Sequence, residues 1–190
     1  MRVSIVGNIG CGKSTLISSL ETQGYNVFYE PVHKWSALKL FYDNIPKWAF
    51  ALQIQILDSF HDVAKSNIVV ERSPWESLNV FAKHLVDNNL MSSVEMDILK
   101  SVNSKMGWMP DIFIYIKTKP EKCIQRIKKR NRECESNIED QYIKDLHDLY
   151  EHNMMSLECS GHTIYTIDGN REQNEVYNTV ISVLKDNNFT

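Results

Sequence analysis

The run Gly7-Asn8-Ile9-Gly10-Cys11-Gly12-Lys13-Ser14-Thr15 matches G-x-x-x-x-G-K-[ST]. Residues of these types at this spacing can hold a nucleoside triphosphate. The glycines let backbone N–H groups turn inward around phosphate oxygens, and a helix that follows aims its positive end at them. Lys13 is expected at the β- and γ-phosphates, and Ser14 on the Mg²⁺ that accompanies ATP. Cys11 reads as a small space-filling residue, since no neighbouring thiol could resolve a redox step. Further along stand Glu30, Glu71-Arg72-Ser73 and a basic stretch with Arg126, Lys128, Lys129, Arg130 and Arg132. Carboxylates can accept a proton from an attacking alcohol, and guanidinium groups can neutralise charge on a moving phosphoryl group. Such a basic stretch could also be an ordinary solvated face. Gln53 has Ala49, Phe50, Ile56 and Leu57 as its helical neighbours, so its amide sits on an apolar face and needs a partner.

The elements that must position these groups follow from periodicity. Five apolar, β-branched runs at 2–6, 26–30, 68–72, 112–117 and 163–168 barely alternate, as expected of strands buried on both faces of a parallel sheet. Helical patterns separate them at about 13–23, 36–43, 46–65, 74–88, 93–106, 119–131, 138–157 and 172–186. The S/T-x-x-E pattern marks helix starts at Ser73–Glu76, Ser92–Glu95, Thr118–Glu121 and Ser136–Glu139. The order is β-α-β-α, an α/β fold with right-handed crossovers. Ligands of an open parallel sheet gather beyond the carboxyl ends of its strands. The phosphate loop, Glu30, Glu71-Arg72-Ser73, the basic helix and Asp168-Gly169 all follow strand ends. That convergence points to an enzyme.

Composition bounds the rest. A chain of 190 residues with no linker or repeat reads as one domain, 1–190. Formal charge is −3, from 21 basic and 24 acidic side chains, which argues against a nucleic-acid coat or an anionic-membrane binder. No run approaches the ~18 apolar residues of a membrane span. Four cysteines without metal spacing fit a reduced compartment, so a cytoplasmic protein is expected, in the host cytoplasm if the chain is viral. The six histidines form no ligand motif and read as surface or satisfied groups.

Taken in order, GNIGCGKST, Glu30-Pro31-Val32 with Trp35, Gln53, Glu71-Arg72-Ser73 and Arg126…Arg130-Asn131-Arg132 resemble the deoxynucleoside kinases, in particular the thymidine kinase 2 and insect multisubstrate branch. The resemblance runs from about residue 2 to about residue 155. It implies a P-loop kinase fold with an Arg-rich lid at about 126–136, and ATP-dependent phosphorylation of a deoxynucleoside 5′-hydroxyl with Mg²⁺. By resemblance Glu30 is the general base and Arg72 holds both it and the hydroxyl. Gln53 pairs with the base edge, Phe81 stacks on the base one turn past Ser77, and Trp35 closes the other side. Tyr42 takes the sugar 3′-hydroxyl with Glu135 as its acidic partner, where Cys134 separates Glu133 from Glu135. Arg126, Arg130 and Arg132 form the lid, Ser14 and Glu71 serve the metal, Lys128 and Lys129 face solvent, and residues 168–171 lie on the adenine side.

Deoxycytidine-specific members place Arg and Asp where this chain has Phe60 and Ser77, so thymidine or broad pyrimidine use is expected, although a large Phe60 could instead narrow the pocket. The resemblance also implies a homodimer built on the helices near 46–65 and 74–88. A thymidylate-type nucleoside monophosphate kinase is the nearest alternative. It needs a basic group for the acceptor phosphate, and position 30 offers an acid. A GTPase switch lacks its Asn-Lys-x-Asp.

Overall fold

The computed structural model describes residues 1–61, 63, 67–132, 135 and 138–189. Strands β1 (Arg2–Val6), β2 (Val27–Phe28), β3 (Ile68–Glu71), β4 (Ile112–Lys117) and β5 (Thr163–Asp168) form one parallel sheet in the order β2-β3-β1-β4-β5. Central β1 pairs Ile5 with Glu71 on one side and with Ile114 on the other, so the acidic end of β3 lies beside the start of the glycine loop. Helices α1 (Lys13–Thr22), α2 (Ala37–Asp43), α3 (Ile45–Ser59), α5 (Ser93–Met106), α6 (Pro120–Arg130), α7 (Asp140–Cys159) and α8 (Gln173–Asp186) flank the sheet, with the composite α4 spanning 74–87. Among the described residues no helix is long and apolar enough to cross a membrane.

Alternation along β4 sends Ile112, Ile114 and Ile116 to one face and Phe113 and Tyr115 to the other. The first face packs on Leu16, Ile17 and Leu20 of α1 and on Val180 and Leu184 of α8. The second meets Leu146 and Tyr150 of α7, with Val80 of α4. Ile68 and Val70 of β3 continue this layer over Leu52, Ile56 and Leu57 of α3. Each fully buried aliphatic side chain contributes about 1.5–3 kcal/mol, so both layers hold the sheet edge rigid.

Several elements are shorter than their sequence patterns. β2 holds two residues rather than 26–30, because the Glu30 N–H turns to the Glu71 carboxylate at 3.4 Å and Pro31 has no N–H for the ladder. β3 stops at Glu71 because Arg72 adopts φ 66°. α3 starts one residue early, where Asn44 Oδ1 accepts the Lys47 N–H at 3.3 Å, and ends at Ser59 instead of 65. Residues 62, 64 and 65 of that expected helix lie outside the described residues.

Helix α4 is not uniform. It opens as α over Pro74–Glu76, widens to a π-helix over Ser77–Ala82 and returns to α over Lys83–Asp87. Of the four capping patterns, Ser92–Glu95 is a complete reciprocal box. Ser73 accepts only the Glu76 N–H, since the Glu76 side chain turns inward. Thr118 caps nothing: the Lys119 N–H is taken by Asn170 Oδ1 at 3.0 Å. Ser136 lies outside the described residues. A Glu172–Glu175 box, invisible to an S/T pattern, starts α8.

Candidate active site

The loop between β1 and α1 needs glycine for two reasons. Gly7 and Gly10 have φ 146° and 80°, and a Cβ would stand 2.9 Å from Ile116 O at Gly7 and 2.6 Å from Cys123 O at Gly10. Cys11 is buried and fills the space against Gly7. Asn8 pins the loop to α7 by donating to Ile143 O at 2.7 Å, while its Oδ1 accepts the Ile9 N–H. Lys13 Nζ donates to the Gly7 and Asn8 carbonyls at 2.7 and 2.9 Å, within the concave face of the loop. Ser14 Oγ donates to Glu71 Oε1 at 2.6 Å. A hydroxyl and a carboxylate so close are a hard-oxygen donor set suited to Mg²⁺ and its waters.

Beyond the loop lie Glu30 and Arg72. Arg72 Nε stands 2.9 Å from Glu30 Oε1, an ion pair whose angle falls short of a hydrogen bond. Burial pushes the Glu30 carboxyl up to about 7; Glu71 and Glu76 add to the rise, and Arg72 and Lys13 oppose it. Burial also works against the Arg72 charge, but the surrounding carboxylates, Glu30 first, outweigh it and raise its pKa. Under this pair sits Glu76, fully withdrawn from solvent. Its Oε1 accepts from the Tyr150 hydroxyl and from the Gly7 N–H at 3.4 Å, and lies 3.8 Å from Arg72 Nη1. Burial raises the Glu76 carboxyl, against the pull of Arg72 and Lys13. Burial, then the Glu76 charge, raises the Tyr150 hydroxyl, which keeps it a donor.

Glu30 and Arg72 open onto a cavity of about 650 Å³ that the phosphate-loop residues and a set of apolar side chains line together. Trp35, Tyr42, Gln53, Ser77 and Phe81 line it together with Glu30, Arg72, Ser14, Glu71, Arg126, Arg130, Arg132 and Glu135. Gln53 is 3% exposed and its Oε1 has no partner among the described residues; Trp35 Nε1 is likewise buried and unbonded. Phe81 carries the Arg72 guanidinium 4.2 Å above its ring and meets Tyr150 edge-on. Ser77 Oγ donates to Ser73 O at 3.4 Å, and Tyr42 packs on Phe41. Phe60 does not narrow this cavity. It is fully buried between Phe28 and Trp108, in the core beneath β3.

Helix α6 forms the other wall. Arg126 donates to Cys11 O at 2.8 Å and Gly169 O at 3.3 Å, which ties the helix to the phosphate loop. Arg130 grips Glu135 through two hydrogen bonds of 2.7 and 2.5 Å, with Arg132 3.6 Å away. Glu133, Cys134 and Ser136 of the expected lid lie outside the described residues. Lys128 is exposed and pairs with Asp140, whereas Lys129 is exposed but also stands on the cavity wall.

Sequence reasoning missed Phe41, Ile56, Leu85, Tyr142, Gln173, Val176 and Tyr177, all of which line the cavity. Apolar side chains on a helix carry no signal that separates pocket from core. It also missed Glu76, hidden in a capping pattern. His84 departs from a satisfied histidine: it is buried, stands 3.4 Å from Asp145 and lies edge-on to Tyr142, and its Nδ1 has no partner among the described residues.

Comparison with known proteins converges on one group. The model of the family described as deoxynucleoside kinase matches residues 3–188. Protein 143R of Invertebrate iridescent virus 6, itself named as a kinase, is 36% identical over 193 residues, 98% of this chain and 97% of that protein. The thymidine kinase of Ictalurid herpesvirus 1 is 29% identical over 196 residues, 95% of this chain and 84% of that protein. The structure of deoxyadenosine kinase from M. mycoides with bound dCTP superposes with a TM-score of 0.88 at 25% identity, covering 98% of this chain and all of that one (100%).

Proposed function

Since this chain belongs to the deoxynucleoside kinase family, phosphotransferases that act on deoxynucleosides, we propose that it moves the γ-phosphoryl group of ATP to the 5′-hydroxyl of a pyrimidine deoxynucleoside, thymidine first. The observation that carries this reading is the Glu30–Arg72 pair, 2.9 Å apart, on the wall of one cavity that the phosphate loop and Gln53 also line. The nucleoside base pairs with the Gln53 amide and stacks on Phe81, with Trp35 opposite and Tyr42 and Glu135 near the sugar. Its 5′-hydroxyl then meets Glu30. That carboxylate accepts the hydroxyl proton as the oxygen attacks phosphorus, and a pKa near 7 suits a base working at neutral pH. Arg72 holds Glu30 and the attacking oxygen in one place.

On the donor side the loop amides and Lys13 cradle the phosphates, while Arg126, Arg130 and Arg132 offset charge that develops in transfer. Ser14 and Glu71 would hold Mg²⁺, which when bound would supply charge neutralisation to the triphosphate. Pyrimidine preference is supported by the base end of the cavity. Ser77 offers only a hydroxyl there, and Gln53 can present its donor or its acceptor to either pyrimidine. A homodimer through α3 and α4 belongs to the same reading, and partly exposed Trp48, Phe50 and Ile54 on α3 support it.

The test is phosphoryl transfer from Mg-ATP to each of the four deoxynucleosides and to thymidylate. Thymidine is expected to react fastest. Product from thymidylate alone would replace this reading with a monophosphate kinase, and faster purine turnover would remove the pyrimidine preference.

A further inference from the structure

We propose that Glu76, steadied by Tyr150, is a positioning residue for phosphoryl transfer, holding Arg72 at a fixed place relative to the phosphate loop. The inference rests on the kinase reading above.

Its ground is the way one buried carboxylate joins parts that come from distant stretches of chain. A Ser-x-x-Glu helix start normally sends the glutamate outward, back to the N–H of the capping residue. Here Ser73 caps through its own hydroxyl, and the Glu76 side chain is 0% exposed. Burying a carboxylate is costly unless it is paired, so its surroundings are informative. Oε1 accepts the Tyr150 hydroxyl from α7 and the N–H of Gly7, the first residue of the phosphate loop, at 3.4 Å. The same oxygen lies 3.8 Å from Arg72 Nη1. Oε2 has no hydrogen-bond partner among the described residues, so the charges that offset this carboxylate are Arg72 first and Lys13 after it.

Arg72 is thereby caught between two carboxylates, Glu30 on the cavity side and Glu76 beneath. Its backbone sits at φ 66°, a strained conformation for a residue with a side chain, and such strain persists only where surrounding contacts over-determine it. Phe81 supports the guanidinium from a third side at 4.2 Å. Through Oε1 the arginine and the loop share one anchor. The acceptor hydroxyl and the phosphate are therefore held to a common reference.

A neutral amide separates this role from simple packing. In Glu76→Gln the carbonyl still accepts from Tyr150 and Gly7, the volume is kept, and what is lost is the charge attraction, for Arg72 first and for Lys13 after it. With the full chain, Mg-ATP and thymidine, the variant is expected to melt like the parent and keep both KM values within about threefold, while kcat falls about tenfold or more, as a misplaced reacting group requires. Glu76→Asp, which keeps the charge, should recover part of kcat. Tyr150→Phe, which frees the carboxylate to swing, should lower kcat with KM unchanged.

A Glu76→Gln variant with parental kcat overturns the proposal. So does one that raises only the KM for ATP, since Glu76 would then serve the loop alone. If Glu76→Gln does not fold, the other two decide: parental kcat in Tyr150→Phe together with no turnover in a folded Glu76→Asp overturns it. A parent chain that phosphorylates no deoxynucleoside overturns the kinase reading as well, so the two failures are told apart by the parent's own activity.

Discussion

Replacing Gln53 by Leu should strengthen the fold and weaken nucleoside binding, and both effects can be sized from the same atom. Gln53 Oε1 is buried and unbonded among the described residues, on a helix face formed with Ala49, Ile56 and Leu57. An unsatisfied buried acceptor costs about 1–3 kcal/mol, and an apolar side chain of similar volume removes that cost. For a chain of this length 1 kcal/mol moves Tm by about 2–4 °C, so a rise of a few degrees is expected in the free protein. Bound to nucleoside, the variant instead leaves a base edge unpaired in an apolar pocket, which costs about 1–3 kcal/mol and weakens thymidine about 5- to 150-fold. ATP affinity should hold, since the triphosphate lies at the loop end of the cavity. Thermal melts with and without each ligand, alongside titration calorimetry, read all three quantities. A lower Tm with equal losses for thymidine and ATP would refute the reasoning and make Gln53 a structural residue.

Glu30→Gln should leave thymidine binding nearly intact and cut kcat by about 10²–10⁴-fold; unchanged turnover in single-turnover kinetics would remove Glu30 as the base. The parent's kcat/KM for thymidine should fall as pH drops through about 7, because protonated Glu30 cannot accept the hydroxyl proton. The same group acts on stability in the opposite sense. Its folded pKa lies above the unfolded value, so the native state holds the extra proton between about pH 4.5 and 7, and stability falls as pH rises through that window. Paired melts of parent and Glu30→Gln, in which the variant loses this slope, check the sign. Lys13→Ala should abolish transfer while preserving the fold, measured by product formation beside a thermal melt, since the hydrogen-bond partners of Lys13 Nζ among the described residues, the Gly7 and Asn8 carbonyls and Cys11 Sγ, all belong to the phosphate loop.

The sheet was largely legible because parallel strands buried on both faces write continuous apolar runs, and 2–6 and 112–117 stand in the structure as read; 163–168 also keeps its bounds, although at the sheet edge only its Ile167 is buried. What the runs could not reveal is where side-chain demands override the ladder. Glu30 leaves β2 because its N–H serves Glu71, and Arg72 leaves β3 because its backbone turns left-handed. The glycine loop was legible because its geometry depends on missing side chains, as at Gly10. The apolar lining was not, because Ile56 and Leu85 obey the same helical period whether they face protein or a ligand. Glu76 misled for a related reason: a local cap and a buried ion pair share one spelling, and only tertiary contacts distinguish them.

The wide turn at Ser77–Ala82 has a consequence for anyone who would re-engineer this chain. An α-helix advances about 100° per residue, and a π turn accommodates one residue more than the regular spiral. Deleting a single amino acid there would let the spiral tighten to the regular period, and positions downstream would keep close to their present facing. Leu85 would stay on the wall it shares with Phe81, with the change confined to the turn itself. Removal of one residue is thus better absorbed here than in a regular stretch of helix, where it would revolve everything beyond it by about that angle.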